Sequence, residues 1–147
     1  MTHPMVIEVV VPLPVKDLWV LCTTEEGLSQ WWWPQFGDTT YQIDPRPLHR
    51  YRFASATAGV GVHGDYIIVE KFGALEFSWV WEDDGPQVSD HVRLTFTPHG
   101  NRTVVRVTHT MVEPHPSTRH KFEHCWHDVI ARLVNCHPHY ELEVRAS

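Results

Sequence analysis

Twelve histidines in a chain of 147 residues make histidine the side chain to question first. It changes charge near neutral pH and also ligates metals. His120 and His124 stand four apart, a spacing that lets two imidazoles share a metal ion on a helix, and His127 lies on the same face. That face is opposite the apolar stripe of the same segment, so a site there would be open to solvent. No HExxH pattern accompanies it. The expectation is surface histidines with adventitious metal affinity and no metal centre; His137-Pro138-His139 is a weaker case still. His109 differs, because it shares the strand parity of Val105 and Val107 and so points inward. An inward histidine is commonly a core residue with satisfied ring nitrogens. It is also the candidate here for a catalytic acid–base group, or for a polar handle in an apolar interior. Asp65, Glu70 and Arg52 are its candidate partners.

Other chemistry is excluded by context. Gly59-Val60-Gly61-Val62-His63-Gly64 matches GxGxxG, but a dinucleotide fingerprint needs a helix to follow, and Asp65 to Glu70 reads as strand. The glycines are expected in a hairpin connection, and no cofactor is expected. Cys22, Cys125 and Cys136 are odd in number and lack metal spacing, which favours reduced thiols in a cytoplasmic protein. No GxSxG, P-loop or Cys/His nucleophile pattern occurs. Asn101-Arg102-Thr103 is a formal glycosylation sequon better explained by a turn. The formal charge is −6 with no Lys/Arg cluster, so neither nucleic acid nor an anionic membrane is expected as a partner. Neither a secretory leader nor a long apolar run is present.

The aromatic residues are the stronger signal. They make up 12% of the chain, with seven tryptophans. Tyr51, Phe53, Tyr66, Phe77, Trp79, Trp81, Phe122 and Trp126 all carry inward parity. Such rings either fill a core or wall a cavity. Trp31-Trp32-Trp33 cannot all face inward on a helix. At least one is expected at the surface, a cavity mouth or a subunit contact, or else flat over Pro34 and Phe36.

The elements that would position these groups follow from hydrophobic period. Ser117 to Asn135 is a helix of roughly 28 Å, with Phe122, Trp126, Val129, Ile130 and Leu133 on one stripe. Ser117 is its expected N-cap, Pro116 lies just before it, and Pro138 closes the far end. Met5 to Val11 is a first strand, stopped by Pro12 and Pro14. Val15 to Cys22 is a short helix. Thr23 and Glu26 have capping-box spacing and open a second helix reaching about Trp32. Strands follow at Tyr41–Asp44, His49–Ala54, Val62–Lys71, Leu75–Glu82, His91–Thr97 and Thr103–Met111, with turns at Asp83-Asp84-Gly85-Pro86 and Pro98-His99-Gly100-Asn101. Repeated period-two alternation means an antiparallel sheet with one covered face, and only the last helix is long enough to cover it. The class is α+β, one domain over 1–147, with a core at 5–135 and a tail at 136–147 of unassigned role.

This order resembles the helix-grip fold. The motifs are similar to those of the activator of Hsp90 ATPase homologue family, within the START/Bet v 1-like (SRPBCC) superfamily. The matching pieces are Val15-Lys16-Asp17-Leu18-Trp19 with Leu28 and Trp32; Tyr51-Arg52-Phe53; Gly64-Asp65-Tyr66; Leu75-Glu76-Phe77-Ser78-Trp79; Thr103 to His109; and Trp126 with Leu133. By motif position Trp32 belongs in the core. Two departures stand out: Cys125 replaces the glycine usual before the helix tryptophan, and Leu48-His49 replace a glycine pair usual before Tyr51. The resemblance implies a cavity between sheet and helix that holds an apolar, aromatic or polycyclic small molecule, with Trp32, His109 and the inward rings as its lining. Two other roles stay open: a cyclase- or hydrolase-type enzyme using His109 with a carboxylate, and a co-chaperone-like interaction module. A homodimer through Trp31–Trp33 or a sheet edge is a further expectation.

Overall fold

The computed structural model describes residues 3–82, 88–112 and 116–135. The expected turn at Asp83-Asp84-Gly85-Pro86, the tail at 136–147 with Cys136 and His137-Pro138-His139, and the side chain of Ser117 lie outside what is described.

The chain runs β1 (His3–Val11), α1 (Val15–Thr23), α2 (Glu25–Leu28), a 3-10 turn (Pro34–Phe36), β2 (Thr40–Ile43), β3 (Arg50–Ser55), β4 (Val60–Glu70), β5 (Ala74–Trp81), β6 (Ser89–His99), β7 (Arg102–Met111) and α3 (Pro116–Asn135). The strands form one antiparallel seven-stranded sheet in the order β1-β7-β6-β5-β4-β3-β2. Every neighbouring pair is consecutive in sequence except β1 with β7, which closes the first strand onto the last. This is the helix-grip arrangement.

Alternation does what the sequence implied. On β7, Thr103, Val105, Val107, His109 and Met111 are buried while Arg102 and Arg106 are exposed. On α3, Phe122, Trp126, Val129, Ile130 and Leu133 are buried and His120, His124 and His127 are exposed. Burying each large apolar side chain of that stripe contributes about 1.5–3 kcal/mol, which outweighs the modest helix propensity of a histidine-rich segment. α3 begins at Pro116, one residue earlier than expected, where a proline's missing N–H breaks no helical bond.

The stretch before β2 departs most from expectation. α2 stops at Leu28, well short of Trp32, and Pro34 opens a turn where it was expected to end a helix. Thr24, not Thr23, caps α2: its Oγ1 accepts from Gly27 N at 2.9 Å, while Thr23 Oγ1 donates to the Trp19 carbonyl at 2.6 Å. Gly27 is required by closeness, since a Cβ there would lie 2.4 Å from Val20 O on α1. With the helix ended, Trp33 takes a left-handed φ of 53°, and the three consecutive indoles pack on one another with centroids 5.5 and 5.6 Å apart. All three are buried, at 2%, 2% and 4% exposure. No tryptophan of the three is at the surface; Trp33 instead packs against Phe36, ring centroids 6.2 Å apart, the other placement the sequence allowed.

Candidate functional site

The face of the sheet toward α3 carries the expected aromatic set, and it divides into two ends. At one end stands His109, with no solvent exposure. Its Nδ1 accepts from Trp126 Nε1–H at 2.9 Å. An indole N–H can only donate, so the ring proton of His109 sits on Nε2 and is donated to Asp90 Oδ2, also at 2.9 Å. Asp90 is 7% exposed, and its Oδ1 accepts from Val112 N at 3.0 Å. The chain Val112–Asp90–His109–Trp126 thus ties β6, the end of β7 and α3 together. Phe122 stacks on the imidazole at 4.8 Å and Trp79 meets it edge-on at 5.3 Å. Trp79 stacks on Trp81, which lies half-buried at the rim under the Lys121 ammonium.

At the other end a void of about 30 Å³ remains between sheet and helix. It is walled by Cys22 of α1, Leu28 of α2, Trp31, Trp32, Tyr51 and Phe53 of β3, Tyr66, Leu75, Phe77, Leu94 and Trp126. None of these side chains is charged. The Tyr51 hydroxyl donates across β4 to the Ser78 carbonyl at 2.6 Å, passing over Gly64, where a Cβ would collide with that same carbonyl. Burial pushes both Tyr51 and Tyr66 well above the ordinary tyrosine range. Trp31 Nε1 donates to the Leu21 carbonyl at 2.8 Å. Trp32, 2% exposed and packed against Phe53, Trp79 and Trp126, has no acceptor for its Nε1–H among the described residues. Trp79 Nε1 is likewise unpartnered but does not border the void.

Of the expected ligand-lining residues, the structure gathers Trp32, Tyr51, Phe53, Tyr66, Phe77 and Trp126 around the void. Trp79, Trp81, His109 and Phe122 do not border it, because they interlock edge-to-face and through hydrogen bonds at the opposite end. The space is also far smaller than expected. It holds one or two waters, whereas pockets for drug-sized molecules run to about 300–1,000 Å³. His109 is not paired with Asp65, Glu70 or Arg52. Arg52 and Asp65 lie on the outer face of the sheet and Glu70 is exposed at the end of β4. Its true partner, Asp90, was missed. The available signal was parity, since Asp90 lies two residues before Val92 and shares the inward side of Val92, Leu94 and Phe96.

The outer face carries an open polar groove of about 730 Å³ bordered by Arg50, Arg52, His63, Asp65, Ser78 and Glu82. Arg52 and His63 each reach the Glu82 carboxylate at 2.8 Å, and the Arg52 guanidinium holds Glu82 below the usual carboxylate range. Its charges are mutually paired. The glycines of the GxGxxG match lie in the β3–β4 hairpin and in β4, with strand continuing after them. Cys125 lies beside the Trp33 indole, and burial pushes its thiol up to about 12. Among the described residues no group of three His, Cys, Asp or Glu side chains is placed to hold a metal ion, and no helix is long and apolar enough to cross a membrane.

With this geometry in place, comparison with known proteins is decisive on family. The sequence pattern described as "Activator of Hsp90 ATPase homolog 1-like protein" matches residues 12–137. The chain belongs to that family. No curated protein sequence matches it. Among solved structures, protein MLL2253 from Mesorhizobium loti superposes with a TM-score of 0.80 at 18% identity, covering 93% of this chain and 98% of that one. DynU16, from the dynemicin biosynthetic locus, gives 0.76 at 21% identity over 90% of this chain, which spans only 46% of DynU16. CalU16 from Micromonospora echinospora gives 0.65 at 21% identity, over 90% and 76%. At such identities these likenesses establish the helix-grip fold shared across the family, and no more.

Proposed function

We propose that this family member binds a small hydrophobic molecule between the sheet and α3, at the end covered by α1 and α2. The observation that carries this reading is the uncharged, ring-walled void where α1, α2, α3 and four strands converge. The family's fold suggests a ligand-binding or small-molecule-processing role, and one structural relative is named for a biosynthetic locus. Binding must enlarge the space, so packing contacts are exchanged for ligand contacts. A molecule burying ~200 Å² of apolar surface gains about 5 kcal/mol before that exchange, so its dissociation constant is no tighter than roughly 0.2 mM. His109 argues against acid–base catalysis here, because freeing either ring nitrogen breaks a buried hydrogen bond.

The test is a titration of intrinsic tryptophan fluorescence with a panel of neutral aromatic hydrocarbons and ketones. A saturable change is expected, and Cys22→Phe, which fills the void, should abolish it while circular dichroism stays native. No saturable change with any member of the panel would remove the reading.

A further inference from the structure

Two buried indole nitrogens, those of Trp32 and Trp79, lack an acceptor among the described residues, and only Trp32 borders the void. Trp31 gives its N–H to the Leu21 carbonyl, Trp126 gives its own to His109, and Trp33 meets Cys125. Trp32, at the centre of the cluster and on the wall of the void, gives its N–H to nothing among the described residues. A buried donor without an acceptor is unfavourable, because the water it bonded in the unfolded chain has been stripped away and not replaced. Of the other donors on the wall, Trp31 is committed to Leu21 and Tyr51 to Ser78, while the Tyr66 hydroxyl joins Trp32 as a second lining donor. No charged side chain borders the space. A carboxylate or ammonium brought there would lose its hydration without gaining a counter-charge.

We propose that the molecule bound at this site is neutral and apolar and carries an accepting oxygen, such as a ketone or quinone carbonyl, read by Nε1–H of Trp32. This rests on the sheet–helix space being the ligand site. Trp32 is then the specificity residue: the rings select for shape and apolarity, and its unpartnered N–H selects for the oxygen. The alternative fate of that N–H, a bound water, gives the same hydrogen bond without discrimination between ligands.

The experiment compares indane with 1-indanone, near-isosteres that differ by a carbonyl, by calorimetric and NMR titration of the wild type, Trp32→Phe and Trp79→Phe. Expected is an affinity ratio, ketone over hydrocarbon, about tenfold higher in the wild type than in Trp32→Phe. Trp79→Phe, which removes an unpartnered N–H away from the void, should keep the wild-type ratio. In ¹H–¹⁵N spectra of the wild type the Trp32 indole N–H resonance should move downfield with 1-indanone and stay near its free position with indane. This second readout holds even if Trp32→Phe fails to fold. Equal ratios in wild type and Trp32→Phe, or an unmoved Trp32 resonance, with both probes still binding, overturn the inference and leave hydrophobic binding standing. Absence of binding by both probes overturns the inference, and absence of binding by every member of the hydrocarbon and ketone panel overturns the ligand site as well.

Discussion

The two ends of the space between sheet and α3 use the same kinds of residue to opposite effect. At the Asp90 end, Trp79, Phe122, Trp126 and His109 close the interior with rings 4.8–6.4 Å apart and a buried hydrogen-bond chain. At the Cys22 end, Tyr51, Tyr66 and Phe77 meet at 5.2–6.3 Å and, with Trp32, border a void none of them fills, where no chain of buried hydrogen bonds among the described residues sets the spacing. A polar chain has directional requirements, so it fixes the spacing of helix and sheet. Apolar contacts have none, so they can separate and re-form around something else. One end sets the grip and the other is free to accommodate.

If this division is right, His109→Ala should be the most damaging single change. It leaves the Asp90 carboxylate and the Trp126 N–H buried without their partner, and a loss of about 3–5 kcal/mol is expected in urea unfolding. A hydrophobic ligand should not restore it. Leu94→Ala, at the opposite end, should cost about 2–4 kcal/mol. Here saturating 1-indanone should return part of the loss, because the enlarged void now admits it; equal rescue at both ends would break the comparison.

A smaller effect concerns alkaline pH. Burial raises Tyr51 and Tyr66 above the ordinary 10.0. In the unfolded chain both release their protons first, so their contribution is intact below pH 10 and is lost as pH climbs beyond it. Thermal melts from pH 9 to 11.5 should show that decline, and Tyr66→Phe should lessen its slope by one proton, about 1.4 kcal/mol per pH unit. The smallest effect is at Leu48. It is 89% exposed and holds φ at 72°, the left-handed conformation glycine adopts freely. Leu48→Gly should raise stability by about 0.5–1 kcal/mol, measured as a shift in the urea midpoint, without changing ligand affinity.

Much of the scaffold was readable because period-two and helical alternation report which face is covered. Val105, Val107 and His109 on β7, and Phe122 with Trp126 on α3, lie where that alternation put them. The site was less so. Asp90 sits at the first inward position of β6, ahead of where the apolar pattern begins, so parity with Val92 is the one sign of its pairing with His109. The fate of Trp31-Trp32-Trp33 depended on a helix ending four residues early, which apolar spacing alone does not mark. The volume left between facing rings is a property of how side chains interlock, and no residue pattern encodes it.

The pairing of β1 with β7 has a consequence for how the protein is made. Val11 meets Thr103 and His3 meets Met111, so the first strand's hydrogen-bonding partner is synthesised about a hundred residues later. At ribosomal rates of roughly 5–20 residues per second, the nascent ribbon Met5–Val11, interrupted by a single acidic residue at Glu8, waits on the order of ten seconds with its edge uncovered. The yield of soluble product from a cell should therefore depend on elongation speed and on holdase chaperones more than on the stability of the finished fold.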